Sequence, residues 1–238
     1  MLFFILALLV YQDLPVFSKV GLKSEILKQE RELWLYREAS DYEKCPVLYL
    51  LDGKENFLTV VGIYQSLRRT NEIPPLMIVA VANIDREYDL SPSHIDVDYM
   101  KSGGGPNFHK FFKNELIPFI ESKYPVTGHR TIVGHSLGAI FNLMLLTKDS
   151  GLFQNYLSIS PSLWWDNQLI SAELMQEVTK WDESKAALKL FMSMANEGSL
   201  ADPNGKIMLD EYTKLKDFLT KSKRIAFNYR DNFTENHL

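Results

Sequence analysis

The chain has 238 residues, of which 46% are hydrophobic and 24% are charged, and its formal net charge at pH 7 is −4. These values suit one α/β domain with a large core, and the acidic balance argues against a nucleic-acid binder, which would carry a basic patch. A single cysteine, Cys45, excludes an internal disulfide and a cysteine-based metal cluster. Histidines and carboxylates show no metal-ligand spacing and there is no phosphate-binding loop, so we predict neither a metal nor a cofactor.

The first ten residues are wholly apolar, and the run ends at Tyr11. Ten residues are too few for a stable membrane span, but they match the apolar region of a secretory signal peptide. A basic start and a clear cleavage site are absent, so a buried strand or helix, or an arm lying on the domain, is the alternative. We favour an export signal that has lost its first residues, which predicts a periplasmic or extracellular protein rather than a cytoplasmic one. Residues 1–19 would then precede a domain over residues 20–238.

The first half of that domain predicts a sheet with one antiparallel edge. Apolar and polar residues alternate over residues 20–27 and 32–37, as in half-buried strands. Continuous apolar runs predict central strands over residues 46–51 and 76–82. Helical spacing predicts helices over 56–69 and 108–123, the second kinked at Pro118, and the long loop over 83–105 between them is of a length that is often functional.

The second half continues with alternating strands and helices. We predict strands over residues 131–133, 155–160, 188–194 and 224–230, and helices over 139–146, 172–180 and 206–221. This alternation favours an α/β fold with a mostly parallel central sheet and helices on both faces.

Residues 131–138 read T-I-V-G-H-S-L-G, a strand that enters a G-x-S-x-G motif, and an apolar helical run follows at once. This is the context of a nucleophile elbow, a sharp turn that lifts the serine, here Ser136, clear of the sheet edge. Gly134 and Gly138 are expected because the strand and helix backbones nearly touch there. At a helix N-terminus, free backbone N–H groups favour negative charge on a neighbouring oxygen.

Several blocks in the same order resemble the "putative esterase" family of α/β-hydrolases, which includes esterase D-like enzymes, feruloyl esterases and enterobactin-type siderophore esterases. They lie at residues 46–53, 85–92, 102–104, 115–118, 134–138, 159–167 and 235–237. The resemblance implies an α/β-hydrolase fold and a serine esterase. Two features depart from the family: Ala139 replaces a second glycine, and the chain ends one residue after His237, where family members continue with a glycine and a helix. We therefore expect a truncated C-terminus.

A serine nucleophile needs a base, and in this fold the acid and then the histidine follow the serine along the chain. His237 is the histidine after Ser136, so we predict it as the base and interpret the others as non-catalytic: His94, His109, His129 and His135. The acid should follow the strand over 188–194. Glu197 is the first carboxylate there and matches the family's block, and Asp202 is the alternative. Some siderophore esterases of the family resemble a Ser–His pair without a firm acid.

The oxyanion of the tetrahedral intermediate needs two N–H donors. We predict the backbone N–H of Leu137 and, by resemblance, that of Lys54 beside Gly53. Substrate binding is predicted at Gly53 and at a group that follows a core strand at the same sheet edge: Trp164, Trp165 and Asp166. For the two indoles, packing under a loop is the alternative. Arg86 and Asp89 are expected to brace the long loop through an ion pair.

These features predict a serine hydrolase that cleaves small-molecule carboxylic esters through an acyl-enzyme on Ser136. A thioesterase or acyl transferase on the same residues is the alternative within enzymes. From another class, a catalytically impaired binding domain is an alternative because the chain stops just after His237.

Overall fold

An eight-stranded sheet forms the centre of the computed structural model, which describes residues 16–38, 44–97, 100–182, 185, 187–194 and 203–231. In chain order the strands are β1 (Val16–Ser24), β2 (Gln29–Arg37), β3 (Cys45–Leu50), β4 (Met77–Val81), β5 (Val126–His135), β6 (Asn155–Ile159), β7 (Lys189–Met194) and β8 (Ala226–Asp231). Their order across the sheet is β1-β2-β4-β3-β5-β6-β7-β8. The β1–β2 hairpin joins β4 in antiparallel fashion and all other neighbours are parallel, which confirms the predicted mostly parallel sheet with an antiparallel edge.

Helices connect the parallel strands, as predicted. They are α1 (Gly53–Arg69), α2 (Arg86–Leu90), α3 (Gly105–Phe111), α4 (Ile117–Lys123), α5 (Leu137–Lys148), α6 (Leu169–Val178) and α7 (Pro203–Ser222). None of the described helices is long and apolar enough to cross a membrane. The short α2 lies within the segment that the sequence predicts as a loop, and its first turn is capped by the Asp85 carboxylate, which accepts a bond from the Tyr88 N–H.

The helix predicted over residues 108–123 is irregular just before Pro118, whereas the sequence predicts a kink at Pro118 itself. A π-helical turn, Phe112–Leu116, separates α3 from α4, and the N–H of Ile117 donates to the carbonyl of Phe112, five residues back. Because Pro118 has no N–H to donate, the widened turn lies where one helical hydrogen bond is lost.

Apolar side chains fill both faces of the sheet. On one face α1 packs Phe57, Val61 and Tyr64 against the strands β2, β3, β4 and β5. The other face carries α3, α4, α5 and α6 around a group of aromatic rings. Residues 137–146 of α5 are all buried, so this helix lies inside the molecule along its first ten residues.

Candidate active site

Ser136 is the turn residue between β5 and α5, and its backbone has φ 57° and ψ −115°. A positive φ costs a non-glycine residue of order 1–3 kcal/mol and persists only where the surrounding structure holds the backbone in place. A Cβ on Gly134 would lie 2.3 Å from the carbonyl oxygen of Gly138, so strand and helix backbones do approach as the motif predicts. A Cβ on Gly138 would lie 3.4 Å from the side chain of Leu51, which is an ordinary van der Waals distance. The requirement for glycine is therefore strict at Gly134 and weaker at Gly138.

The backbone of Ser136 is held on both sides. Its N–H donates to the carbonyl of Ile159 on β6 at 3.0 Å, and its own carbonyl accepts from the N–H groups of Ala139 and Ile140 at 3.0 and 3.1 Å. The N–H of Leu137 belongs to the first turn of α5, where a helix offers no acceptor of its own. That N–H is one of the two predicted oxyanion donors.

The second predicted donor lies on the neighbouring strand connection. β3 is next to β5, and the N–H of Leu51 donates to the Val133 carbonyl at 3.0 Å. The helix α1 then begins at Gly53, where a Cβ would lie 2.7 Å from the Val81 carbonyl oxygen. Lys54 is in the first turn of α1, so its backbone N–H likewise has no acceptor within the helix. Both first turns thus begin at the carboxyl edge of adjacent strands.

Asp52 shapes the turn into α1. Its backbone is left-handed, with φ 51°, and its carboxylate makes no cap hydrogen bond to the helix. Instead it accepts from Arg86, at 2.7 Å from Nε and 2.9 Å from Nη2, and from Asn83 at 2.7 Å. These bonds to Asp52 raise the pKa of the Arg86 guanidinium further above its usual value.

Asp89 forms a second, deeper ion pair with Arg31 of β2. The contacts are 2.7 Å from Nη1 to Oδ2 and 3.0 Å from Nη2 to Oδ1, and both side chains are almost fully buried. Burial raises the pKa of Asp89, and Arg31 opposes that rise. Arg86 and Asp89 therefore do brace the loop by ion pairs, but each pairs with a partner that the sequence analysis did not name.

Among the described residues, Ser162 has a side chain that forms a hydrogen bond with the Ser136 hydroxyl. Its Oγ lies 3.1 Å from the Oγ of Ser136, and its N–H donates to the Ser136 carbonyl at 3.3 Å. Ser162 lies in the block over residues 159–167 that resembles the family, but no local pattern predicts a role for it. Its position just after β6, the strand beside β5, is the signal that could have identified it.

The predicted substrate-binding group after β6 divides into two. Trp165 is buried, and its indole N–H donates to the Ser93 carbonyl in the long loop at 3.2 Å, which fits the packing alternative for this ring. Trp164 and Asp166 are half-buried, and Asp166 begins three successive residues with positive φ. Trp164 lies 5.5 Å from Trp165 between ring centroids.

The histidines before the last strand have partners elsewhere in the described part. His94 contacts Ser102 Oγ at 3.2 Å, His109 contacts Asp149 at 3.0 Å, and His129 contacts Asn155 at 2.9 Å. His135 is exposed, and its carbonyl accepts from Arg86 at 3.4 Å. The predicted base His237 and the candidate acids Glu197 and Asp202 lie outside the described residues. The apolar segment over residues 1–10 lies outside them as well. Their assignments stay predictions.

Among the described residues no group of three or more histidine, cysteine, aspartate or glutamate side chains could hold a metal ion.

The family described as "Putative esterase" matches residues 24–235. The chain belongs to this esterase family. The match covers nearly all of the described structure, including the elbow, and confirms the resemblance on which the sequence analysis relies.

Named relatives agree with the family. A siderophore enterobactin esterase of Emericella nidulans is 30% identical over 216 residues, which cover 79% of this chain and 69% of that protein. The ferri-bacillibactin esterase BesA of Bacillus subtilis is 31% identical over 145 residues, or 52% of this chain, and the chain spans 50% of its length. The crystal structure of an IroE-like serine hydrolase from Shewanella oneidensis has a TM-score of 0.83 and 30% identity, and the match covers 92% of this chain and 74% of that one. The fold is therefore that of an α/β-hydrolase, and the class of reaction that these relatives support is carboxylic-ester hydrolysis.

Proposed function

We propose that the chain is a serine esterase that cleaves small-molecule carboxylic esters through an acyl-enzyme on Ser136. The observation that carries this proposal is the left-handed backbone of Ser136 at a strand-to-helix turn that only glycine at position 134 permits. A nucleophile must project from the sheet edge toward substrate, and this sharp turn between strand and helix provides that projection.

In the proposed reaction, the Oγ of Ser136 attacks the ester carbonyl while His237 takes its proton. The oxyanion accepts hydrogen bonds from the N–H groups of Leu137 and Lys54, which belong to the first turns of α5 and α1. His237 then protonates the leaving alcohol and activates the water that releases the acid. Glu197 would orient the imidazole and stabilise its charged form, with Asp202 as the alternative.

The strands that precede these three residues support their assignment. β7 ends at Met194 and β8 at Asp231, and both run parallel to β5, so both strands end at the edge of the sheet where Ser136 lies. Active sites of open α/β sheets lie outside the carboxyl ends of their strands. Half-buried Trp164 and Asp166 follow β6 at this edge, and we propose that they contact the substrate beside Gly53.

For the substrate class, the relatives named as siderophore esterases make ester bonds of siderophores the first candidates. A thioesterase or acyl transferase would use the same residues and differs in the leaving group or the acceptor. These possibilities are separated by a panel of aryl, feruloyl, thioester and siderophore esters, each assayed with and without an added alcohol as acceptor.

A serine-directed fluorophosphonate probe tests the nucleophile. We expect one label per chain, located on Ser136 by peptide mapping, and no label on Ser136→Ala. Ser136→Ala should also lose hydrolysis of p-nitrophenyl acetate while keeping its melting temperature, because it removes one hydroxyl from a turn and no core volume. The control Ser158→Ala changes a buried serine on β6. Turnover by Ser136→Ala would mean that another residue is the nucleophile, whereas absence of a label on the wild-type chain would favour a binding domain.

A further inference from the structure

Two hydrogen bonds join Ser162 to the nucleophile turn. The Oγ atoms of Ser162 and Ser136 are 3.1 Å apart, and the Ser162 N–H donates to the Ser136 carbonyl at 3.3 Å. Ser162 is only 3% exposed, so water competes poorly for its hydroxyl. The pair is thus a partly buried contact on the side chain that the proposed reaction uses.

The loop that carries Ser162 is itself held firmly. Ser160 has a left-handed backbone, with φ 46°, and its N–H donates to the Ser193 carbonyl of β7 at 2.8 Å. The Trp165 N–H then donates to the Ser162 carbonyl at 3.1 Å. The position of the Ser162 hydroxyl therefore follows from the backbone of β6 and β7 and does not depend on a mobile loop.

We propose that Ser162 is a positioning residue that donates its hydroxyl proton to the Oγ of Ser136; this inference rests on the proposed function. Each of the two hydroxyls has one proton, and either oxygen can accept. When Ser136 gives its proton to His237, the contact persists only if Ser162 is the donor. In the resting enzyme the same donation leaves the Ser136 proton directed toward the base.

During acylation the Ser162 hydroxyl keeps its proton. The Ser136 proton moves to the imidazole, the Oγ–carbon bond forms, and the electron pair of the carbonyl bond moves to the oxyanion. Negative charge passes through Oγ in this step, and hydrogen bonds to charged oxygens are stronger than those to neutral ones. In the acyl-enzyme, Oγ is an ester oxygen and a weaker acceptor. Ser162 therefore favours the attack more than it favours the bound substrate or the acyl-enzyme.

The test measures the rate of fluorophosphonate labelling at Ser136 as a function of pH in the wild-type chain, Ser162→Ala and Ser162→Cys. Ser162→Cys keeps the side-chain shape with a weak donor, which covers the case in which the alanine variant folds poorly. We expect labelling to slow by about 10- to 100-fold, the cost of one hydrogen bond to a charged group. The final stoichiometry should stay at one label per chain, and the KM for p-nitrophenyl acetate should change little while kcat falls.

The matched control is Ser158→Ala. Ser158 lies on the same strand and is fully buried, and its Oγ has no hydrogen-bond partner in the described structure, so its loss should leave the labelling rate unchanged. Equal labelling rates for Ser162→Ala and the wild-type chain would overturn the inference. A lower stoichiometry with an unchanged rate per labelled site would also overturn it, because it would mean that Ser162 only maintains the fold. If the wild-type chain itself were not labelled, the proposed function would fail first and this inference with it.

Discussion

The guanidinium of Arg86 binds both carboxylate oxygens of Asp52, and its Nη2 atom also lies 3.4 Å from the carbonyl oxygen of His135. One side chain of the long loop therefore touches the turn that begins α1 and the residue just before the nucleophile. The two proposed oxyanion donors lie in the helices that start at these two turns. Arg86 therefore links these two turns through hydrogen bonds.

Replacing Arg86 by leucine should weaken both the fold and the proposed catalysis. The carboxylate of Asp52 is buried, and removing its partner leaves an uncompensated charge, which we expect to cost about 3 kcal/mol of unfolding free energy in urea titrations. Arg86→Lys keeps the charge but cannot bind both carboxylate oxygens in the same way. Its stability and activity should therefore lie between those of the wild-type chain and those of Arg86→Leu. If Arg86→Leu were as stable and as active as the wild-type chain, the contact would have no such role.

The glycine requirement of the elbow can be tested against a glycine that has room. Gly134→Ala would place a Cβ 2.3 Å from a backbone oxygen, so we expect loss of folded protein or of fluorophosphonate labelling. Gly62 of α1 has no atom within 4 Å of an added Cβ, and Gly62→Ala should stabilise the chain by about 0.5–1 kcal/mol through helix propensity. Similar melting temperatures for the two variants would contradict the close approach.

The identity of the acid is tested by a pair of substitutions after β7. Glu197→Gln should lower kcat for p-nitrophenyl acetate by orders of magnitude, because the imidazolium loses its partner and the wrong tautomer is favoured. Asp202→Asn should have little effect. The opposite ranking would assign the acid to Asp202, and two mild effects would favour a Ser–His pair.

Asp149 at the end of α5 should make stability depend on acid pH. Its burial opposes ionisation, but hydrogen bonds from Lys113 and His109 at 2.8 and 3.0 Å prevail and lower the pKa of Asp149. A lowered folded-state pKa contributes stability above the unfolded value near 3.8, and that contribution is lost as the pH falls through the folded value.

Asp149→Asn should therefore destabilise the chain at pH 7, by about 0.5–1 kcal/mol for this partly exposed cluster, and destabilise it less at a pH well below 3.8. The measurement is the midpoint of urea unfolding as a function of pH. The exposed Asp217→Asn is the control and should show no comparable change between the two pH values. If the stability difference between Asp149→Asn and the wild-type chain were the same at every pH, the ionised carboxylate could not be the source of the stabilisation.

Local patterns in the sequence predicted the strands, the helices and the elbow because each is determined by neighbours in the chain. Continuous apolar runs locate β3 and β4, helical spacing locates α1, and the G-x-S-x-G motif points to Ser136. The partners of Arg86 and Asp89 could not be predicted in the same way. Asp52 and Arg31 are 34 and 58 residues away from them, and only the order of strands across the sheet brings them together.

The contact between Ser162 and Ser136 likewise could not be predicted from local patterns in the sequence. Its 26-residue separation spans α5 and β6, and no local motif indicates which hydroxyl meets the nucleophile. The irregular turn before Pro118 shows a further reason: the proline predicts a lost hydrogen bond but not how the helix accommodates it. Sequence patterns therefore predict the elements and the elbow that carries Ser136, whereas the side chains around Ser136 depend on tertiary packing.

The burial of α5 links the nucleophile to the slowest motions of the molecule. Amide protons of a helix enclosed along ten residues can exchange with solvent only when the surrounding core opens. The peripheral strand β8, whose last residues are exposed, can open at a much lower free energy without moving that helix. Fraying at this edge of the sheet would therefore leave the elbow intact, and the strained backbone of Ser136 should be among the last features to relax when the protein unfolds.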